Sequence, residues 1–187
     1  MRTLVFLLEE PSAEEMLKGV LPRILPEEVS VKYLVFEGKR DLERRLERRI
    51  RGWMLPHSFF VVIRDQDSGD CLVIKNDLLE KCKRAGKEDA LVRIACRELE
   101  SFYLGDLEAV EKGLGIRNLK KKQQRAKYRQ PDSLRNAAME LNELTGKKYQ
   151  KVSGSRAIGP YLRLDGTNQS HSFNKLIEGI KGISGLS

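Results

Sequence analysis

Six carboxylates stand in three close pairs: Glu9 with Glu10, Asp65 with Asp67, and Glu98 with Glu100. Each pair follows a short apolar run that reads as a buried strand. In an open parallel sheet, the carboxyl ends of the strands share one rim, so the pairs would gather there. Carboxylates held close together repel and resist ionising as a group unless a cation offsets them. Mg2+ or Mn2+ suits such hard oxygen donors and keeps several waters. An ion of this kind polarises a phosphoryl oxygen and generates a hydroxide nucleophile; two ions clamp the attacking and leaving oxygens. The chemistry indicated is metal-assisted hydrolysis of a phosphodiester. Acids after strands also serve as helix N-caps, and Asp67 and Asp70 are placed to cap the helix that follows them. Three pairs at three strand ends tip the balance towards a site.

The elements that must position these acids are legible in the patterning. Residues 4–8 (LVFLL), 29–36, 59–63 (FFVVI) and 91–96 read as strands, the first and third apolar on both faces. Helices are expected between them: from Ser12, with Ser12 and Glu15 forming a capping box, until Pro22 strains the turn; over 41–53, with Leu42, Leu46, Ile50 and Trp53 as its apolar stripe; and over 70–85. The β-α-β-α-β-α-β order predicts an α/β fold with a mostly parallel four-stranded sheet of Rossmann-like character, flanked by helices. After Cys96 the chain becomes helical and basic. Helices are expected over 98–104, 107–114, 131–144, 155–162 and 172–183, with a loop over 147–154. A boundary near residue 115 divides a sheet domain, 1–115, from a basic C-terminal helical extension, 116–187, packed on it.

Composition narrows the setting. The 187 residues carry 35 Lys and Arg against 27 Asp and Glu, a net charge of +8 that suits a polyanionic partner. Cys71, Cys82 and Cys96 form no CxxC or Cys/His ligand spacing, and read as reduced thiols packed as small apolar groups. The first apolar run ends at Glu9 and Glu10, too short for a signal peptide, and no run approaches a membrane span. The expectation is a soluble cytoplasmic protein without a membrane partner.

Leu8-Glu9-Glu10-Pro11-Ser12-Ala13-Glu14 and Arg64-Asp65-Gln66-Asp67 resemble the two acidic motifs of the TOPRIM domain, found in topoisomerases, bacterial primases and overcoming-lysogenization-defect nucleases. Glu10 departs from that pattern, standing where the family usually has Gly, so Glu9 and Glu10 both stay open as the residue that faces a metal. Three further segments resemble a bacterial branch of TOPRIM-like proteins of unknown function, often met beside an ABC- or SMC-type ATPase. They are Arg97-Glu98-Leu99-Glu100-Ser101-Phe102-Tyr103-Leu104-Gly105-Asp106, Ser153-Gly154-Ser155-Arg156 and Ser170-His171-Ser172-Phe173. The resemblance implies a Mg2+ or Mn2+ site using Glu9, Asp65 and Asp67, with Glu98 or Glu100 as further ligand or base. In a helix those two acids diverge by about 200°, so one of them faces the metal, and Glu100 is placed with the catalytic set. The resemblance further implies a nuclease acting on DNA or RNA, an ATPase partner and a role in phage defence. A second copy of the chain is a further candidate partner.

Lys120, Lys121, Lys122 and Arg125 form the densest basic run, read either as phosphate-backbone contacts or as a solvated face. Ser153 and Arg156 are candidates for a phosphate near the metal, with a helix N-cap as the competing role of Ser153. His57 and His171 are isolated, which disfavours zinc. There is no GxSxG elbow, no GxxxxGK[ST] loop and no GxGxxG after a strand. Two rival readings stand beside the nuclease. One is a non-catalytic subunit docking on an ATPase through the charged helix over 41–53. The other is a receiver-type phosphoacceptor, disfavoured by Asp-x-Asp after the third strand and the lack of a clear fifth.

Overall fold

The structure is a computed structural model describing residues 2–185. Four strands, β1 (Arg2–Leu8), β2 (Val29–Val35), β3 (Ser58–Asp65) and β4 (Leu91–Ala95), form one sheet in the order β2-β1-β3-β4. Every pairing is parallel. The expected α/β class therefore holds, with the sheet parallel throughout.

Helix α1 (Pro11–Val20) crosses from β1 to β2, α2 (Lys39–Arg51) returns from β2 to β3, and α3 (Cys71–Arg84) leads on to β4. Alternation along the strands splits the core in two. Leu4, Phe6, Leu8, Val61 and Ile63 face α1 and the C-terminal helices. Val5, Leu7, Phe60 and Val62 face α2 and α3. The crossover into β2 runs one way and the next two run the other. Right-handed connections then put α1 on one face and α2 and α3 on the opposite one. The reversal falls between β1 and β3, and such a switch point opens a crevice at the carboxyl ends of the strands.

The C-terminal half is α4 (Glu100–Leu104), α5 (Leu107–Leu114), the one-turn α6 (Ala126–Arg129), α7 (Ala137–Leu144), α8 (Lys151–Ile158) and α9 (His171–Ser184). Its apolar residues Leu141, Ile158, Phe173 and Ile180 join the same cluster as Leu4 and Phe6. Gly159, just past α8, lies against the backbone of Met16 in α1; a Cβ there would stand 2.7 Å from Met16 O. Among the described residues no helix is long and apolar enough to cross a membrane.

Several local expectations are corrected. Ser12 lies inside α1 rather than capping it, and Glu15 pairs with Lys18 and Arg156 instead of closing a capping box. α2 ends at Arg51, so Trp53 lies beyond the helix, yet it still packs against the cluster of Leu42, Leu46 and Ile50, and its Nε1 donates to Ser58 Oγ at 2.9 Å. Helix α8 begins at Lys151, so the second half of the expected 147–154 loop is helical. The expected 131–144 helix is broken by extended backbone at Leu134. The cysteines are free; Cys82 is fully buried while Cys71 and Cys96 are half-buried.

Candidate functional site

Glu9 follows β1 and Asp65 is the last residue of β3, the two strands that flank the switch point. Their pairing register brings Leu8 beside Ile63, and one step further the Asp65 amide donates to Glu9 Oε2 at 3.1 Å. Asp65 retains a little exposure, yet burial pushes its carboxyl well above the usual range, and the fields of Glu10, Glu9 and Glu100 push the same way. Glu9 is raised as well, chiefly by burial, which outweighs the hydrogen bond from the Asp65 amide.

Glu100 opens α4 and is fully buried. Tyr149 Oη donates to its Oε1 at 3.0 Å, while its Oε2 is buried without a hydrogen-bond partner. Burial raises the carboxyl against the lowering field of Lys151. A buried carboxylate oxygen left unpaired is costly and invites a proton or a cation.

Glu10 sits at the N-terminal boundary of α1. It accepts from Ser12 Oγ through Oε1 and from Lys151 Nζ through Oε2, the latter at 2.7 Å. Burial disfavours the Lys151 ammonium, but the Glu10 hydrogen bond and the fields of Glu100, Glu10 and Asp65 hold it protonated. Lys151, Tyr149 and Ser155 are contributions the sequence reading missed. Ser155, one turn after Lys151, accepts from Tyr103 Oη at 2.7 Å and donates back to Lys151 O. The signal was the i,i+4 spacing of Lys151 and Ser155, hidden when 147–154 was read as a loop.

The remaining predicted residues are placed differently. Asp67 lies on the same rim, with a left-handed backbone (φ 53°), and its Oδ2 accepts from Lys39 Nζ at 2.6 Å. Glu98 turns away: its Oε2 accepts from the Ala138 amide at 2.8 Å, capping the first turn of α7. Asp70 caps α3, accepting from the amides of Leu72 and Val73. Lys120 pairs with Glu108, whereas Lys121, Lys122 and Arg125 lie on or beside the exposed 3-10 turn Lys120–Gln124. Arg156 pairs with Glu15, and Ser153 is exposed on α8 rather than at its N-cap. Neither bonds to Glu9, Glu10, Asp65 or Glu100. The Ser170–Phe173 motif caps α9: Ser170 Oγ accepts from the Phe173 amide at 3.2 Å, and Asp132 accepts from Ser170 Oγ and the Ser172 amide.

The structure thus places Glu10, Asp65 and Glu100 within the field of Lys151, with Glu9 bonded to the Asp65 amide and Asp67 held by Lys39. The donors are all carboxylate oxygens, whose charge and chemistry suit a hard divalent cation. Among the described residues no three His, Cys, Asp or Glu side chains already converge as a metal cage.

Comparison with curated proteins and with solved structures gives no match. A family model does match, over residues 8–181, which takes in β2, β3 and β4, the carboxylate rim and the C-terminal helices through most of α9. The chain therefore belongs to the family described as domain of unknown function DUF4276.

Proposed function

We propose that this protein is a Mg2+- or Mn2+-dependent nuclease of TOPRIM type, hydrolysing phosphodiesters of DNA or RNA. The observation that carries the reading is the unpaired, fully buried Oε2 of Glu100 beside the raised carboxyl of Asp65, at the switch point of the sheet. The motif resemblance at 8–14 and 64–67 supports it. Glu9, Asp65 and Glu100 would hold the ion, with Glu10 and Asp67 within the same rim. When bound, the ion supplies Lewis-acid activation of a phosphoryl oxygen and of water. Tyr149 orients Glu100 through its hydroxyl. Lys151 offsets part of the negative field through Glu10 and would be available to a phosphate oxygen. Lys121, Lys122 and Arg125 would contact the nucleic-acid backbone at a distance from the rim. Cleavage of plasmid, single-stranded DNA and RNA with Mg2+ or Mn2+ tests the reading. Asp65→Ala and Glu9→Ala should each abolish cleavage; full activity in either variant would sink it.

A second reading, a non-catalytic subunit of an ABC- or SMC-type ATPase, draws on the ion pairs that already engage Glu10 with Lys151 and Asp67 with Lys39. Calorimetry showing no Mn2+ binding, together with co-purification of a neighbouring-gene ATPase, would favour it over the nuclease.

A further inference from the structure

Helix α2 carries seven cations, Lys39, Arg40, Arg44, Arg45, Arg48, Arg49 and Arg51, against three carboxylates. They are unevenly spread around the helix. A rotation of 100° per residue separates three sides. Leu42, Leu46 and Ile50 are buried against the sheet. Glu43 and Glu47 face inward along the neighbouring elements, where they pair with Arg64 of β3 and Arg84 of α3. The arginines spread over the rest of the surface, with Asp41 among them, and Arg45, Arg48 and Arg49 stand beside Leu34 of the edge strand β2. Leu34 of β2 lines a shallow groove with Arg45, Arg48, Arg49, Gly52 and Trp53, and Arg44, Arg45 and Arg48 frame a second hollow. Lys32, exposed on β2, is two residues from Leu34 and so shares its side of the strand.

Four of these seven cations are paired within the chain, Lys39 with Asp67 among them. Asp41 is shared by Arg44 and Arg45, and Glu47 takes Arg51. Among the described residues Arg40, Arg48 and Arg49 have no carboxylate partner. The basic run at 119–129 carries comparable charge, with Lys120 paired to Glu108 and Lys127 to Glu140, but α2 is the one of the two that begins at the carboxylate rim.

The arginine side also leads somewhere. Arg40, Arg44 and Arg48 follow at intervals of about 6 Å along the axis. The helix begins at the carboxylate rim, where Lys39 Nζ holds Asp67 at 2.6 Å and the Gly38 amide donates to Glu9 O at 3.0 Å. A ligand on this side needs repeated negative charge and a reason to extend to the rim. We propose that the arginine side of α2, with Lys32 of β2, binds the sugar–phosphate backbone of a nucleic-acid strand and leads it to Glu9, Asp65 and Glu100. The choice of nucleic acid over an acidic peptide rests on the nuclease reading. The electrostatic attraction itself does not.

Fluorescence anisotropy of the full chain with a labelled single-stranded oligonucleotide in EDTA tests this, because binding is then read without cleavage. Each arginine that neutralises a phosphate adds about 0.7 to the slope of log affinity against log salt. The double variant Arg48→Ala/Arg49→Ala should therefore lower the slope by about 1.4, and weaken binding at 0.1 M salt by about tenfold or more. Arg48→Lys/Arg49→Lys should retain most of the binding, and matched melting curves exclude misfolding. Arg156→Ala, which removes a cation paired with Glu15 on the opposite face of the sheet, should bind as the wild type does, which separates this surface from the rest of the positive charge. If the wild type binds but cleaves nothing in Mg2+, the nuclease reading fails and the surface stands. Absence of wild-type binding, an unchanged slope in the double variant, or equal displacement by polyglutamate of matched charge would overturn the proposal.

Discussion

Glu98 and Glu100, two residues apart, send their carboxylates to unrelated places: Glu98 caps α7 at the Ala138 amide, whereas Glu100 is sealed under Tyr149 with one oxygen unpaired. The start of α4 between them explains the split, because helical rotation separates their directions. Glu98→Ala should consequently cost about 1 kcal/mol, the usual worth of a helix cap, and leave Mn2+ affinity unchanged. Urea denaturation alongside calorimetry checks both halves; a change in metal affinity without loss of stability would reverse the assignment.

Asp65 gives a pH prediction of opposite sign to the usual carboxylate. Its folded-state carboxyl is raised, so the native state binds the proton more tightly than the unfolded chain. Stability from this group is complete at low pH and falls as pH rises from the ordinary carboxylate range towards the raised value. Asp65→Asn keeps the backbone amide that Glu9 uses and removes the buried charge. The variant should melt about 2–4 °C above the wild type at neutral pH, with the gap closing near pH 4. A constant gap across that range would refute the burial argument.

Lys151 competes with any cation for the rim, through its contact with Glu10 and its field on Asp65 and Glu100. Lys151→Met should lower the melting temperature of the metal-free protein at neutral pH and tighten Mn2+ binding by about tenfold, the equivalent of one removed repulsion of about 1.4 kcal/mol. Titration calorimetry reads the affinity directly. Weaker Mn2+ binding in the variant would mean that the lysine organises the rim instead of competing for it.

Arg156 joins α8 to α1 through Glu15, whose carboxyl the Arg156 and Lys18 hydrogen bonds hold at about 2. A depressed carboxyl stabilises the fold above its unfolded value and loses that contribution as pH falls towards 2. Arg156→Ala should move the acid-unfolding midpoint to higher pH while leaving nucleic-acid affinity near wild type. A large loss of oligonucleotide binding would restore Arg156 as a phosphate contact.

The junction of the sheet with the C-terminal helices is packed through glycine. A Cβ on Gly159 would stand 2.7 Å from Met16 O, and one on Gly19 would stand 2.5 Å from Pro160 N. Backbone cannot yield as a side-chain tip can, so Gly159→Ala should destabilise the protein by about 1–3 kcal/mol. Thermal melting is sufficient to measure it, and a neutral substitution would show that α1 and α8 slide freely.

The parallel sheet, its three crossovers and the acids at its strand ends were legible in the chain, because buried strands and amphipathic helices write their periods locally. Glu9 and Asp65 could be named for the same reason: they stand one and two residues past a continuous apolar run. What the local pattern does not contain is direction across the fold. Only packing decided that Glu98 turns to α7, that Asp67 is held by Lys39, and that Arg156 joins Glu15 instead of the rim. Lys151 reaches Glu10 across 141 residues of chain, and no sequence period encodes such a meeting. Electrostatic partners depend on distance in space. Those distances arise when α8 docks against α1, a contact set by small residues and shared apolar surface more than by the charges it brings together.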